Sequence, residues 1–213
     1  MLAAAVPAKA GDTVLELGSG AGVASLCLAA RVGCVVSGAE IDAELTGLAS
    51  ENARDNGVGE RVEFICADAL NLPPNLRAEF DHVFCNPPFH GENGERSPDA
   101  GRARATHHAS LADWLHSGSR RAASGGTFTA ILRADRLGEA LQALGSDGVL
   151  LFPLWPRADE PAKRVIVQAR KGSHVPLQLL PGLVLHGEDG RYTPEADAVL
   201  REGAALVMDQ SRR

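Results

Sequence analysis

The stretch Val14-Leu15-Glu16-Leu17-Gly18-Ser19-Gly20-Ala21-Gly22 decides the fold. It joins a short apolar run to a glycine-rich turn, and an amphipathic segment follows. Short apolar runs and amphipathic segments then alternate along the chain, which is the pattern of a mainly parallel sheet with helices on both faces. Ligands of such sheets bind at the carboxyl ends of the strands. The glycine turn therefore predicts a ligand site.

The apolar runs predict a sheet of seven strands, at residues 13–17, 35–39, 62–67, 82–85, 127–132, 149–153 and 164–169. The last two runs have no helix between them, so we expect an antiparallel hairpin at one edge. Asp42 and Asp135 are expected to cap helices. The predicted fold is α/β, Rossmann-like and doubly wound. One domain is expected over residues 1–213, with a core at about 11–171 and a C-terminal extension, about 172–213, packed on it.

Composition favours an ordinary cytoplasmic enzyme. The chain has 213 residues, 45% of them hydrophobic, and a net charge of −6. That charge argues against non-specific coating of nucleic acid. We expect no membrane span, because no run approaches about 20 apolar residues. The four cysteines lie in apolar segments without a Cys-x-x-Cys pair, so we expect buried, reduced thiols. No His-Glu-x-x-His motif occurs, and no metal is expected.

The glycine turn is compatible with two kinds of ligand. Glu40 ends the second strand, 22 residues after Gly18, where a carboxylate can accept hydrogen bonds from ribose hydroxyls. These two features alone would also suit a dinucleotide. The dinucleotide pattern Gly-x-Gly-x-x-Gly, however, would need a third glycine at Val23, and the chain has it at Gly22. The Gly-x-Gly-x-Gly form resembles the S-adenosylmethionine turn of methyltransferases.

That resemblance implies a set of cofactor contacts. Glu16 would support the turn and the methionine end, and Asp68 would contact the adenine amino group, although Asp68 could equally cap a helix. The full expected set is Glu16, Gly18, Ser19, Gly20, Gly22, Glu40, Ile41, Asp68, Ala69 and Asn86.

The tetrapeptide Asn86-Pro87-Pro88-Phe89 follows the fourth strand and indicates the chemistry. An exocyclic amine is a poor nucleophile, and two acceptors aimed at its hydrogens would favour the sp³-like nitrogen of the transition state. Asn86 Oδ1 and the Pro87 carbonyl suit that role, because the prolines restrict the backbone around them. Phe89 offers a ring on which a flipped-out base can stack. We assign all four residues to catalysis. A rigid turn without catalytic function is the alternative.

Together these motifs resemble the bacterial tRNA(Val) adenine N6-methyltransferase family, which modifies the adenine beside the anticodon. The likeness continues through segments specific to that group: Ser97-Pro98-Asp99, His107-His108, Leu111-Ala-Asp-Trp114, Leu154-Trp-Pro-Arg157, Pro161-Ala-Lys-Arg164 and His186 to Pro194. It implies methyl transfer from S-adenosylmethionine to an adenine in tRNA. It also implies an N-terminal segment before Met1 that closes over the cofactor, so we expect weak activity from a chain that lacks this segment.

Basic residues are the candidates for contact with the RNA. Residues 151–171 carry a local excess of positive charge. The predicted substrate-binding residues are Phe89, Arg96, Arg102, Arg104, Lys163 and Arg164; a solvated hairpin is the alternative for the last two. Other readings also stay open: methylation of rRNA, DNA or a protein glutamine, or a non-catalytic RNA-binding subunit with a methyltransferase fold. The oligomeric state is not predicted.

Overall fold

A computed structural model describes residues 1–88 and 109–208 of the chain. The strands are β1 (Thr13–Leu17), β2 (Val35–Glu40), β3 (Val62–Cys66), β4 (Phe80–Cys85), β5 (Ala122–Arg133), β6 (Val149–Trp155), β7 (Arg164–Arg170), β8 (Gln178–Leu179) and β9 (Leu183–Val184). The α-helices are α1 (Leu2–Ala5), α2 (Val23–Val32), α3 (Ala43–Asp55), α4 (Leu111–Arg121), α5 (Leu137–Leu144) and α6 (Pro194–Arg201), and short 3₁₀ helices cover Pro74–Leu76 and Ala134–Arg136.

The strands form one sheet in the order β3-β2-β1-β4-β5-β7-β6-β8, with β9 also paired to β6. Strands β1 to β5 are parallel, and β7 is antiparallel to both of its neighbours. The chain moves outward from β1 to β3 and then returns to place β4 on the other side of β1. The order therefore reverses between β1 and β4, which is where open α/β sheets bind ligands. The predicted Rossmann-like fold is confirmed.

Helices cover both faces of the sheet. Helices α4 and α5 pack on the face that includes Leu15 and Val83. Helices α1, α2 and α3 contribute to the cluster on the other face, around Val14 and Val36. Because β1 is buried on both faces, its sequence is an almost continuous apolar run.

The helix starts show one correct and one wrong prediction. Asp42 caps α3, since its carboxylate accepts hydrogen bonds from the backbone N–H groups of Glu44 (2.9 Å) and Leu45 (3.1 Å). Asp135 is not a helix cap, so that prediction was wrong. It lies inside the 3₁₀ turn before α5, where its carboxylate accepts from the Arg133 guanidinium instead.

The C-terminal residues extend the sheet beyond the predicted seven strands. The two-residue strands β8 and β9 both pair in parallel with β6. The hairpin of β6 and β7 is therefore partly covered on its outer side. The Trp155 indole N–H also donates to the carbonyl of Pro181 (3.1 Å), which joins the end of β6 to this segment.

Two further expectations from composition can be compared with the structure. Cys34 and Cys85 are buried as expected, but Cys27 and Cys66 are exposed, so the expectation of four buried thiols was wrong. Within residues 1–88 and 109–208, no helix has the length and apolar character needed to span a bilayer.

Candidate active site

The glycine turn forms a cradle at the end of β1. Gly18, Gly20 and Gly22 have positive φ angles of 71°, 55° and 85°. Added side chains would also collide: a Cβ at Gly22 would lie 2.6 Å from the Phe64 ring, and one at Gly18 would lie 3.0 Å from the Trp114 ring. The N–H groups of Gly18 and Ser19 donate to the Ala39 carbonyl (2.8 and 3.1 Å), which holds the turn against β2. Glycine therefore meets both a conformational and a steric requirement at Gly18 and Gly22, and a conformational requirement alone at Gly20.

Glu40 connects the cradle to the end of β2. One carboxylate oxygen accepts from the backbone N–H of Gly20 (2.8 Å), and the other accepts from that of Asp42 (3.0 Å). The residue is only 9% exposed, so these bonds fix the side chain. An ionised carboxylate has about four lone-pair sites, so acceptor capacity remains for the hydroxyls of a ribose.

Glu16 connects the two elements that flank the cradle, β1 and α2. It is 3% exposed, and its carboxyl group accepts hydrogen bonds from the backbone N–H and the hydroxyl of Ser25 in α2. Burial raises the pKa of Glu16 to about 8; the Ser25 hydrogen bonds oppose that shift, and the charge of Glu40 adds to it. Glu16 therefore ties β1 to the first turn of α2 and is mainly protonated at neutral pH.

Two more of the predicted cofactor residues, Ile41 and Asp68, lie near Glu40 at the ends of β2 and β3. The register Glu40↔Cys66 and the bond from Ala67 N–H to the Glu40 carbonyl (2.8 Å) bring the ends of β2 and β3 together. Ile41 follows β2 and is 45% exposed, which gives this corner an accessible apolar side chain. Asp68 caps no helix; its Oδ1 accepts from the Leu70 N–H (2.9 Å) in a local turn.

Ala69, another of the predicted cofactor contacts, is buried, at 5% exposure. Its carbonyl accepts a hydrogen bond from the Ser117 hydroxyl in α4 (2.6 Å). The backbone after β3 is thus fixed to the helix that follows the tetrapeptide in the chain.

The first three residues of the tetrapeptide, Asn86, Pro87 and Pro88, follow β4 next to the glycine turn. Leu17 pairs with Cys85 across β1 and β4, so the residues that follow them, Gly18 and Asn86, are neighbours at the carboxyl edge. Asn86 is exposed, Pro87 is buried and Pro88 is half-buried. This arrangement presents the Asn86 amide at the edge while the next residue anchors the backbone. The predicted residues Phe89, Arg96, Arg102 and Arg104 lie outside the described residues.

Sequence reasoning missed the role of Trp114. This residue, 9% exposed in α4, packs the outer end of its indole ring against Gly18. The indole N–H and the Ser19 hydroxyl are both buried and have no hydrogen-bond partner among the described residues. The segment Leu111-Ala-Asp-Trp114 stands out in the sequence for its resemblance to a family, but that resemblance does not predict that Trp114 contacts the glycine turn.

Two of the predicted basic residues, Lys163 and Arg164, lie at the same edge of the sheet as Asn86. Arg133 ends β5, Arg164 begins β7, and the two are paired in register. With Lys163 they help to line a cavity of about 570 Å³. Lys163 has a side chain that is 77% exposed and lies 3.9 Å from Glu160, which also pairs with Arg157 (2.9 Å). The cations are therefore accessible but partly neutralised.

Comparisons with known proteins agree with this geometry. Residues 14–109 match the family described as "Methyltransferase domain". Curated relatives include a tRNA1(Val) (adenine(37)-N6)-methyltransferase of Shewanella loihica, 34% identical over 53% of this chain and 47% of the relative. A protein of the same name from Bacteroides fragilis is 30% identical over 72% of this chain and 65% of the relative. A crystal structure described as a predicted O-methyltransferase from Agrobacterium tumefaciens is 28% identical, with a TM-score of 0.80 and 96% of each chain covered.

The cradle, the sheet order and these matches give the chain the Rossmann-like fold of the methyltransferase class. Within that class, the chain is similar to curated tRNA1(Val) (adenine(37)-N6)-methyltransferases. It spans between 47% and 65% of the length of the two curated relatives described above.

Proposed function

We propose that this protein binds S-adenosylmethionine and transfers its methyl group to the exocyclic N6 of an adenine in tRNA. The observation that carries the proposal is the placement of exposed Asn86 beside Gly18, at the point where the strand order reverses. A cofactor cradle and an amide acceptor are thereby brought to one edge of the sheet. A tRNA substrate also implies a cytoplasmic enzyme.

The cradle supplies the groups that would hold the cofactor. Glu40 would bind the ribose hydroxyls, and the backbone of Gly18, Ser19 and Gly20 would allow close approach of the cofactor. Ile41 and Asp68, which follow neighbouring strands, would recognise the adenine of the cofactor by apolar contact and by hydrogen bonding, respectively.

The bound cofactor supplies a sulfonium methyl group, which is open to in-line displacement by nitrogen. Asn86 Oδ1 and the Pro87 carbonyl would accept the two hydrogens of the adenine amine and turn its lone pair toward that methyl. Fixing the nitrogen about 3–3.5 Å from the carbon is the main task of the protein. Glu40 and the glycine turn would hold the cofactor, which would supply an electrophilic methyl group, and the amine nitrogen that accepts this methyl would release one proton to solvent.

The RNA would lie along the carboxyl edge. Lys163 and Arg164 are the candidates among the described residues for contacts to phosphate, and Arg133 adds a third cation in the same cavity. Phe89, Arg96, Arg102 and Arg104 remain candidates for the base and its flanking nucleotides.

The test is methyl transfer from isotopically labelled S-adenosylmethionine to unmodified tRNA, DNA and protein extract, followed by mass spectrometry of the nucleosides and peptides. We expect N6-methyladenosine from tRNA. Label in glutamine or in DNA would mean that the enzyme methylates a different amine. Labelled 2′-O-methyl nucleosides would favour the O-methyl transfer named for the Agrobacterium structure. Cofactor binding without transfer to any of them would favour the non-catalytic subunit.

A further inference from the structure

His186 and Tyr192 form a stacked ring pair in the segment after β9. Their ring centroids are 4.8 Å apart, and the ring planes differ by 22°. The two residues also form an antiparallel bridge. Tyr192 is nevertheless 43% exposed. A large ring is thus supported by a neighbour while it stays open to solvent.

Hydrogen bonds fix the backbone on both sides of this pair. The Thr193 N–H donates to the Leu185 carbonyl (3.0 Å), and the Gly187 N–H donates to the Arg191 carbonyl (2.9 Å). The Thr193 hydroxyl donates to the Val184 carbonyl (2.8 Å) and also caps α6. Because the ring is held in place before any partner arrives, little conformational entropy would be lost when a partner stacks on it.

The ring pair lies at the same edge of the sheet as Asn86. Strand β9 runs parallel to the end of β6, with Trp155 paired to Val184. The His186 N–H then donates to the Pro156 carbonyl (3.0 Å), so the pair sits beyond the carboxyl end of β6. Strands β5 and β7, which carry Arg133 and Arg164, lie between it and β4.

The lateral distance excludes the target base itself. Four strand spacings separate β4 from β9, or about 19 Å at about 4.8 Å each. An adenine held by Asn86 cannot also reach Tyr192. Whatever stacks on Tyr192 must be a different part of a long substrate that follows the edge of the sheet.

The charges around the ring favour a base over a phosphate. Glu188 and Asp189 lie in the turn between the two aromatic residues, and Arg191 is 3.8 Å from Asp189. These carboxylates would repel phosphate, so the ring provides the contact. In single-stranded nucleic acid, bases of any sequence can stack on exposed aromatic side chains, while basic side chains nearby contact the phosphates.

We propose that Tyr192, supported by His186, stacks on an unpaired base of the RNA substrate several nucleotides from the target adenine. Arg133, Lys163 and Arg164 lie between the two positions and would contact the intervening phosphates. This inference rests on the proposed function, because it requires an RNA substrate.

The experiment measures binding of an unmodified tRNA transcript by fluorescence anisotropy at several salt concentrations. Tyr192→Ala and Tyr192→Leu should weaken binding by about five- to a hundredfold, the range expected for loss of one stacked base. The slope of log affinity against log salt should stay at the parent value, because the cations that bind phosphate are unchanged. Tyr192→Phe keeps the ring and should bind like the parent.

Thermal unfolding of the same variants separates stacking from structural support. Leucine retains apolar contact with His186, so Tyr192→Leu should unfold near the parent temperature and still bind RNA weakly. A loss of affinity that merely follows the unfolded fraction would overturn the inference, as would parental binding by both Tyr192→Ala and Tyr192→Leu. If the parent methylates tRNA in either case, the proposed function stands and only the stacking role falls. A parent that neither binds nor methylates tRNA would overturn both.

Discussion

The two ends of the carboxyl edge are built differently. At the cofactor end, Glu16 and Glu40 are 3% and 9% exposed, and both accept hydrogen bonds from backbone N–H groups. At the hairpin end, the side chains of Lys163 and Arg157 are 77% and 52% exposed, and their partner is the single carboxylate of Glu160. One end is fixed by buried bonds, and the other presents charges in water.

Because of this difference, different kinds of interaction dominate at the two ends. Buried hydrogen bonds are nearly independent of salt, and they hold a site in its working geometry. Exposed ion pairs contribute little to stability, and salt screens them. Substitutions at the cofactor end should therefore change rate, cofactor affinity or pH dependence. Substitutions at the hairpin end should change the response of RNA binding to salt.

The largest expected effect is on the chemical step. Asn86→Ala removes one preorganised acceptor and should slow methyl transfer by about 10²–10³. Cofactor affinity should stay near normal, because the cradle is intact. Single-turnover kinetics combined with calorimetry measure the two quantities separately.

Asn56→Ala is the matched control, since Asn56 is an exposed asparagine beyond the end of α3. It should react at the parent rate. Parental turnover by Asn86→Ala would show that the tetrapeptide is only a rigid turn.

The next effect is on cofactor binding. Glu40→Ala removes the ribose acceptor together with the bond to Gly20, and it should weaken S-adenosylmethionine binding by about ten- to a hundredfold. Calorimetry with the cofactor and with NAD checks both affinity and identity. The control is Glu63→Ala, which removes another carboxylate that accepts a hydrogen bond, from Ser37. NAD binding by the parent, with no binding of S-adenosylmethionine, would contradict the cofactor assignment.

The buried carboxyl group of Glu16 should also make the stability of the protein depend on pH. The native pKa of Glu16 is about 8, against an ordinary value of 4.5, so between these values the native state keeps a proton that the unfolded chain has lost. The stability due to Glu16 is therefore present below about pH 4.5 and is lost as the pH rises toward 8. The slope is at most about 1.4 kcal/mol per pH unit.

Glu16→Gln cannot titrate and provides the measurement. Urea unfolding of parent and variant at pH 5, 6, 7 and 8 gives a difference in free energy of unfolding, in which the other titrating groups cancel. That difference should shift in favour of the variant as the pH rises. A difference that is flat across this range would mean that Glu16 is ionised in the native protein.

The same contrast explains which features were predictable. The strands near the cradle could be located because parallel strands buried on both faces leave continuous apolar runs, and Asp42 is a capping residue before an amphipathic segment. Strands β8 and β9 have two residues each, too few to show any periodicity. Asp135 has the right residue type for a cap, but the neighbouring Arg133 competes for its carboxylate.

The site shows the same division. The proximity of Gly18, Glu40 and Asn86 could be expected, because each follows or ends a neighbouring strand at the carboxyl edge of the sheet. The contact of Trp114 with Gly18 is a packing of distant segments, and no local pattern indicates it. The stack of His186 on Tyr192 likewise depends on a chain reversal that joins residues only after folding.

The smallest expected effect is at the hairpin end. Replacing both Lys163 and Arg164 with alanine should weaken tRNA binding modestly at low salt, and it should reduce the log–log salt slope by about 0.7–0.9 for each phosphate that the protein no longer neutralises. Lys9→Ala provides the control, because Lys9 is an exposed lysine just before β1, at the opposite edge of the sheet. Methyl transfer at saturating tRNA should remain near the parent rate, since neither residue lies beside Asn86. An unchanged slope with reduced affinity would mean that the hairpin acts through local structure. An unchanged slope with unchanged affinity would place the phosphate contacts elsewhere, with Arg96, Arg102 and Arg104 as the next residues to replace.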